Sequence, residues 1–168
     1  MALALSCEGL VVDAQPDVYL LVDAPWGWAT SSRVPVALEG AIVITDNPCP
    51  EYRLDLLDER PAALLSKASL SDITQVLSRL SDASHPAMRS TLVSPLTPME
   101  RIVLKLSAKG LTNKVIARRQ GIGEQRVKNL LQSIYQKLKL RSRVQLAHYY
   151  YGNWHVLEDW GPPPHSRY

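Results

Sequence analysis

Thr97-Pro98-Met99-Glu100 opens the most tightly determined stretch of this 168-residue chain. A threonine side chain can accept a hydrogen bond from the third helical amide. Proline suits the first helical position, and a glutamate three residues after the cap can return a bond to it. Ile102, Val103 and Leu106 follow as one apolar face, and Gly110 supplies the left-handed residue that ends a helix. Thr112 is placed to cap a second short helix through Arg119, with Ile116 and Ala117 inward, and Gly121 makes the next turn. From Glu124 to about Leu138, Val127, Leu130, Leu131, Ile134 and Leu138 recur at helical spacing and are expected to be buried. Ser142-Arg143-Val144-Gln145 repeats the capping pattern and opens a fourth helix through about Tyr151. Residues 96–151 are therefore expected to form an all-α four-helix domain.

Charge divides the chain in the same place. Residues 1–95 carry six basic and twelve acidic side chains, whereas residues 96–151 carry twelve basic against only Glu100 and Glu124. A segment at +10 joined to one at −6 points to two modules, the second facing a polyanion. Between Ser81 and Pro95 the chain reads SDASHPAMRSTLVSP, without a helical apolar period, which makes 82–95 the expected linker. Beyond Tyr151, GPPPHSRY cannot continue a helix, and residues 152–168 are read as a tail; Trp154 and Trp160 are free on sequence grounds to fold back or not.

Within the basic module, Ala117, Gly121 and Val127 stand at offsets of four and then six residues. In a helix-turn-helix the small residue lets two helices cross closely, the glycine turns the chain left-handed, and the branched residue fills the angle between them. The polar face of the third helix reads Gln125, Arg126, Lys128, Asn129, Gln132 and Lys137. Those side-chain types reach base edges and phosphates when a helix lies in a major groove.

Residues 96–152, LTPMERIVLKLSAKGLTNKVIARRQGIGEQRVKNLLQSIYQKLKLRSRVQLAHYYYG, resemble the LuxR/GerE-type helix-turn-helix of bacterial transcription regulators. LTPxE, GLTNKxIA, VKN and IYxKLxLRSRxQLA carry the likeness, over about a third of the chain. The resemblance implies a dimer on inverted half-sites of double-stranded DNA, with the fourth helix as the dimer contact. By position, Lys128, Asn129 and Gln132 then face bases, while Arg126, Lys114 and Asn113 lie near phosphates. Val144, Ala147, His148 and Tyr151 lie at the dimer seam. Thr112, Glu124, Gln125 and Lys137 complete the expected DNA-binding set. Two positions depart from the family pattern: Gly123 stands where a Ser or Thr cap is usual, and Leu130 where a His usually follows VKN.

The first half alternates short apolar runs with turn residues. Val18–Val22, Ala41–Ile44 and Ala62–Leu65 read as strands of a parallel sheet, Pro50–Arg60 leaves room for a helix, and Ile73, Val76, Leu77 and Leu80 form a helical stripe. PDVYLLVD, AIVITDN and AALLSKASLSDITQVLSRL resemble the later part of a response-regulator receiver domain. That resemblance places Asp23 at the phosphoacceptor, Thr45 at the switch hydroxyl and Lys67 at the phosphate-contacting lysine. Receivers hold Mg²⁺ with an acidic pair after their first strand. The 22 residues before Asp23 are too few for that part, and Asp13 and Glu8 are single acids. Residues 1–81 are thus expected to be a truncated, incomplete flavodoxin-like receiver that takes no phosphoryl group, its open sheet edges available to a protein partner or second protomer.

Other chemistry finds no support in the residues. His85, His148, His155 and His165 have no metal-ligand spacing, and no G-x-S-x-G, phosphate-binding glycine loop or H-E-x-x-H occurs, so neither an enzyme nor a cofactor is expected. Cys7 and Cys49 are too few for a disulfide framework and fit a reducing cytosol. No run of about 18 apolar residues is long enough for a membrane helix. The expected function is a cytoplasmic, dimeric, sequence-specific transcription regulator that works without phosphorylation. The competing expectations are a phosphorylation-gated response regulator, and an interaction partner of other regulators that binds DNA weakly.

Overall fold

The computed structural model describes residues 18–30, 37–81 and 92–160. The expectations on Cys7, Glu8, Asp13, most of the linker and the final GPPPHSRY lie outside these residues. In chain order the elements are β1 (Leu20–Val22), β2 (Ile42–Ile44), α1 (Pro50–Asp58), β3 (Ala63–Leu65), α2 (Leu70–Ser81), α3 (Pro98–Ala108), α4 (Asn113–Gln120), α5 (Glu124–Leu138) and α6 (Arg143–Tyr150). A 3₁₀ helix, Trp154–Trp160, follows. Two compact units result: the described residues of Met1–Asp46 and Leu56–Met88 form one, those of Asn47–Asp55 and Arg89–Tyr168 the other.

The first unit is built on a parallel sheet of order β1-β2-β3. Leu20, Ile42 and Ala63 stand in register, as do Val22, Ile44 and Leu65. Strands buried on both faces need apolar side chains at consecutive positions. Leu21, Ile42, Val43, Ala63 and Leu64 are accordingly buried. Because all three strands run the same way, Asp23, Thr45 and Ser66 emerge side by side at their C-terminal ends. Of the α2 stripe, Ile73 is buried, Val76 half-buried and Leu77 39% exposed, so Leu77 lies off the buried arc; the Leu80 side chain lies outside the description.

In the second unit, α3 packs on α4, α5 and α6, and α4 packs on α5. Val103, Leu104, Ile116, Val127, Ile134, Leu146, Tyr149 and Tyr150 are fully enclosed. The caps form as the sequence predicts. Thr97 and Glu100 make a complete capping box, Thr112 accepts from the Val115 amide, and Ser142 accepts from the Gln145 amide. In the last case the Gln145 side chain accepts from the Arg141 amide, one residue upstream of the cap.

Two apolar assignments are corrected. On α3 the buried arc is Glu100, Val103, Leu104, Ser107 and Ala108, leaving Ile102 38% exposed and Leu106 half-buried. The helix turns two polar residues inward, so a stripe drawn through apolar residues alone is rotated off the true face. On α5, Val127, Leu131, Ile134 and Leu138 are buried but Leu130 flanks the core half-buried.

Candidate nucleic-acid interface

The site rests on α4, the turn after it and α5. Gly121 adopts φ +64°, the left-handed region in which a side chain is strained, and its amide and that of Ile122 both close on the Ala117 carbonyl. Gly123 then starts α5 with no side-chain cap, so the departure seen in the sequence is a real loss of one hydrogen bond. Val127 is wholly buried beneath the turn and Ala117 nearly so, as the small-glycine-branched spacing requires.

Above that frame, α5 turns Glu124, Gln125, Arg126, Lys128, Asn129 and Gln132 to solvent. Gln125 Nε2 donates to Asn129 Oδ1 at 3.1 Å, one turn along the same face, which holds two amides in a fixed relative orientation. Lys114 on α4 is exposed; Thr112 is exposed at its cap. Asn113 is half-buried, and its Oδ1 accepts from Arg143 Nη1 at 3.1 Å while Arg143 Nη2 donates to the Leu111 carbonyl. The first residue of α6 thereby fixes the start of α4.

Lys137 is placed differently from its companions. Its Nζ lies 2.7 Å from Glu100 Oε2, and the same carboxylate accepts from Ser133 Oγ at 2.6 Å and from the Thr97 amide at 2.7 Å. Burial alone pushes the Glu100 carboxyl up, but the bonds from Lys137, Ser133 and Thr97 outweigh it and hold the pKa at about 2. This ammonium ties α5 to the cap of α3.

Val144, Ala147, His148 and Tyr151 share one face of α6; Val144 is 65% exposed and the other three half-buried. The opposite face meets a segment that the sequence reading did not connect with this domain. Tyr149 OH donates to Glu51 Oε2 at 2.8 Å and Tyr150 OH to Asp55 Oδ2 at 2.7 Å. Asn47 Nδ2 donates to the Tyr150 carbonyl at 3.1 Å, and the Tyr52 and Tyr150 rings meet edge to face at 5.2 Å. Ser94 Oγ and Cys49 Sγ also donate to Glu51, and Arg101 pairs with Asp55 at 3.1 Å. Trp154 folds back onto α6, stacking on Tyr149 and donating Nε1–H to its carbonyl. Partners 95 to 103 residues apart carry no local signal; the spacing of Glu51 and Asp55, one helical turn, was the only hint.

In the sheet unit, Asp23 and Thr45 come together. Thr45 Oγ1 donates to Asp23 Oδ2 and the Ala29 amide to Oδ1, each at 2.9 Å, and Asp23 is 2% exposed. Lys67 follows β3 with φ +50°, its side chain exposed and its amide donating to Asp46 Oδ1 at 2.6 Å. No group of three or more His, Cys, Asp or Glu arranged to hold a metal ion occurs among the described residues. Nor is any described helix long and apolar enough to cross a membrane.

Residues 94–150 match the GerE family model, bacterial regulatory proteins of the luxR family. The chain is similar to the nitrate/nitrite response regulator protein NarL of Escherichia coli K12, 44% identical over 97 residues, which is 55% of this chain and 43% of NarL. It is also similar to the DNA-binding transcriptional activator DevR/DosR of Mycobacterium tuberculosis, 37% identical over 92 residues, 55% of this chain and 36% of that protein. Both stretches are longer than the matched domain, and the chain spans less than half the length of either relative. Among solved structures, RcsB of Salmonella enterica serovar Typhimurium bound to promoter rprA aligns at TM-score 0.47 and 24% identity, covering 66% of this chain and 59% of RcsB.

Proposed function

We propose that this chain, whose residues 94–150 are a helix-turn-helix domain of the luxR family of bacterial regulatory proteins, is a sequence-specific, dimeric transcription regulator acting in the bacterial cytoplasm. The observation that carries this reading is the exposed ladder Gln125, Arg126, Lys128, Asn129 and Gln132 on a helix whose other face is fully packed. Such a helix presents base-reading side chains from a rigid support, and the +10 segment around it supplies the attraction to phosphates. Relatives named as a response regulator and a DNA-binding activator agree with it. Regulation without phosphorylation is supported by Asp23, whose two carboxylate oxygens are both engaged, by Thr45 and by the loop amide of Ala29. The competing reading, a phosphorylation-gated regulator, draws on the same pair, since Asp23 and Thr45 end neighbouring parallel strands.

Selection of bound duplexes from a random DNA pool tests the main reading, with the Lys128→Ala/Asn129→Ala variant alongside. An inverted repeat enriched by the wild type and lost in the variant is the expected result. A folded protein that enriches nothing would overturn sequence-specific binding and favour a partner of other regulators. Incubation with acetyl phosphate and Mg²⁺ separates the two modes of control: an unchanged mass is expected, and a phosphoryl adduct on Asp23 would favour gating.

A further inference from the structure

We propose that Asn47–Asp55 is a clamp that holds α6 in the orientation from which it meets a second copy of the chain, with Glu51 and Asp55 as positioning residues. The inference rests on the dimer reading above and adds where that contact is controlled.

Helix α6 has eight residues, too few to be stable or to hold an orientation by itself. Its inward face is Gln145, Leu146, Tyr149 and Tyr150, all buried. Leu146 is apolar and fixes depth only, because packing of that kind tolerates rotation about the helix axis. Arg143 anchors the N-terminal end of α6 to Asn113 and Leu111, and the direction of its C-terminal end comes from the two tyrosines. Adjacent residues on α6 point their hydroxyls to acceptors a single turn apart on α1, Tyr149 to Glu51 and Tyr150 to Asp55. Two bonds of that spacing define both the rotation and the tilt of α6 against α1. The Asn47 amide on the Tyr150 carbonyl supplies a third point near the end of the helix.

Both hydroxyls remain donors. Burial, reinforced by the nearby Cys49 and Glu51 for Tyr149 and by Asp55 for Tyr150, pushes them well above the ordinary tyrosine range. The clamp is itself fixed to the same unit: Asp55 is held by Arg101 of α3, and Glu51 by Ser94 just before it. No clamp residue lies on the exposed face of α5. Arg143 keeps the N-terminal end of α6 on Asn113 and Leu111, so loss of the clamp swings the C-terminal end, with Ala147, His148 and Tyr151, while the α4–α5 frame stays where α3 and Arg143 hold it. Linkage is reciprocal: a second copy bound to α6 must in turn slow opening of the clamp.

The experiment uses the full chain and two readouts, self-association by sedimentation and affinity for a short generic duplex at low salt. Tyr150→Phe and Asp55→Asn are the clamp variants, Glu51→Gln is the milder one that keeps an acceptor, and Val144→Asp tests the dimer face directly. Clamp variants are expected to weaken self-association by at least about fivefold. Their duplex affinity stays within about twofold of wild type, as for independent sites. Amide exchange at 49–55 is expected to slow as the protein is concentrated into dimer. If Val144→Asp weakens association and the clamp variants do not, the clamp is overturned and the dimer reading stands. If Val144→Asp changes nothing, the dimer reading fails and takes the clamp with it. Parallel loss of association and duplex binding, in Glu51→Gln as in the others, would show a purely structural role and overturn positioning.

Discussion

Lys137 Nζ and Glu100 Oε2 lie 2.7 Å apart, joining α5 to the N-terminal cap of α3. The carboxylate is 4% exposed and the ammonium 35%, so the pair is screened on one side only. A carboxyl held at about 2 adds stability that is complete above the ordinary glutamate range and is lost as pH falls toward 2. Glu100→Gln is expected to cost roughly 2–3 kcal/mol at neutral pH, allowing for the exposed side of the pair, and to flatten the acid limb of the stability curve. Urea denaturation from pH 7 down to pH 3 measures both. An acid limb as steep in the variant as in the wild type would remove Glu100 as its source.

The same pairing separates two basic residues of α5 that look alike in sequence. Arg126→Ala is expected to weaken binding on every duplex and to lower the salt slope by about one unit, since an exposed guanidinium releases about one counterion per phosphate. Lys137→Met should instead lower the melting temperature and leave the salt slope nearly unchanged, because its charge is spent on Glu100. Fluorescence anisotropy across a salt series distinguishes them, and equal slopes for the two variants would contradict this division.

Lys128 is exposed on the middle of α5, and its ammonium pairs with no carboxylate among the described residues. Lys128→Ala is expected to cost roughly 1–3 kcal/mol on the selected operator and to relax base preference at one position of each half-site. Binding to a set of single-base operator variants reads this out. A uniform loss across all of them would reassign Lys128 to the phosphates.

Local determinants explain what the sequence revealed. Caps at Thr97, Thr112 and Ser142, and the left-handed glycines 110 and 121, act within four or five residues, so all four helices of the basic module were legible to within a residue or so. The strand ends are legible too, Asp23 following β1 and Thr45 following β2. What escaped was non-local or polar. An apolar pattern places Ile102 on the inward face of α3, whereas Glu100 and Ser107 occupy that arc, and a hydrophobic pattern cannot see polar residues that are buried. Glu51 and Asp55 read as ordinary helix-surface acids, because their partners lie almost a hundred residues on.

Gly121 and Gly123 sit two residues apart and should respond in opposite directions. A Cβ at either position meets nothing within 4 Å, so space decides neither case. Gly121 has φ +64°, and Gly121→Ala is expected to destabilise by about 1 kcal/mol. Gly123 has φ −70° and ψ 149°, ordinary cap geometry without a side-chain acceptor, and Gly123→Ser should stabilise by a few tenths of a kcal/mol. Chemical denaturation of both variants is the check, and a destabilised Gly123→Ser would contradict the cap geometry assigned to it.

Asp23 separates the two readings of the sheet unit by experiment. Asparagine keeps an acceptor for the Ala29 amide, and its NH₂ can donate to the Thr45 hydroxyl, so Asp23→Asn preserves both links with one donor reversed. If the acid only closes its loop, the variant should lose no more than about 1 kcal/mol and bind the selected operator as the wild type does. Treatment with acetyl phosphate should then leave both proteins equally active in DNA binding. Tightened binding by treated wild type alone would establish gating at Asp23 and replace the phosphorylation-independent reading.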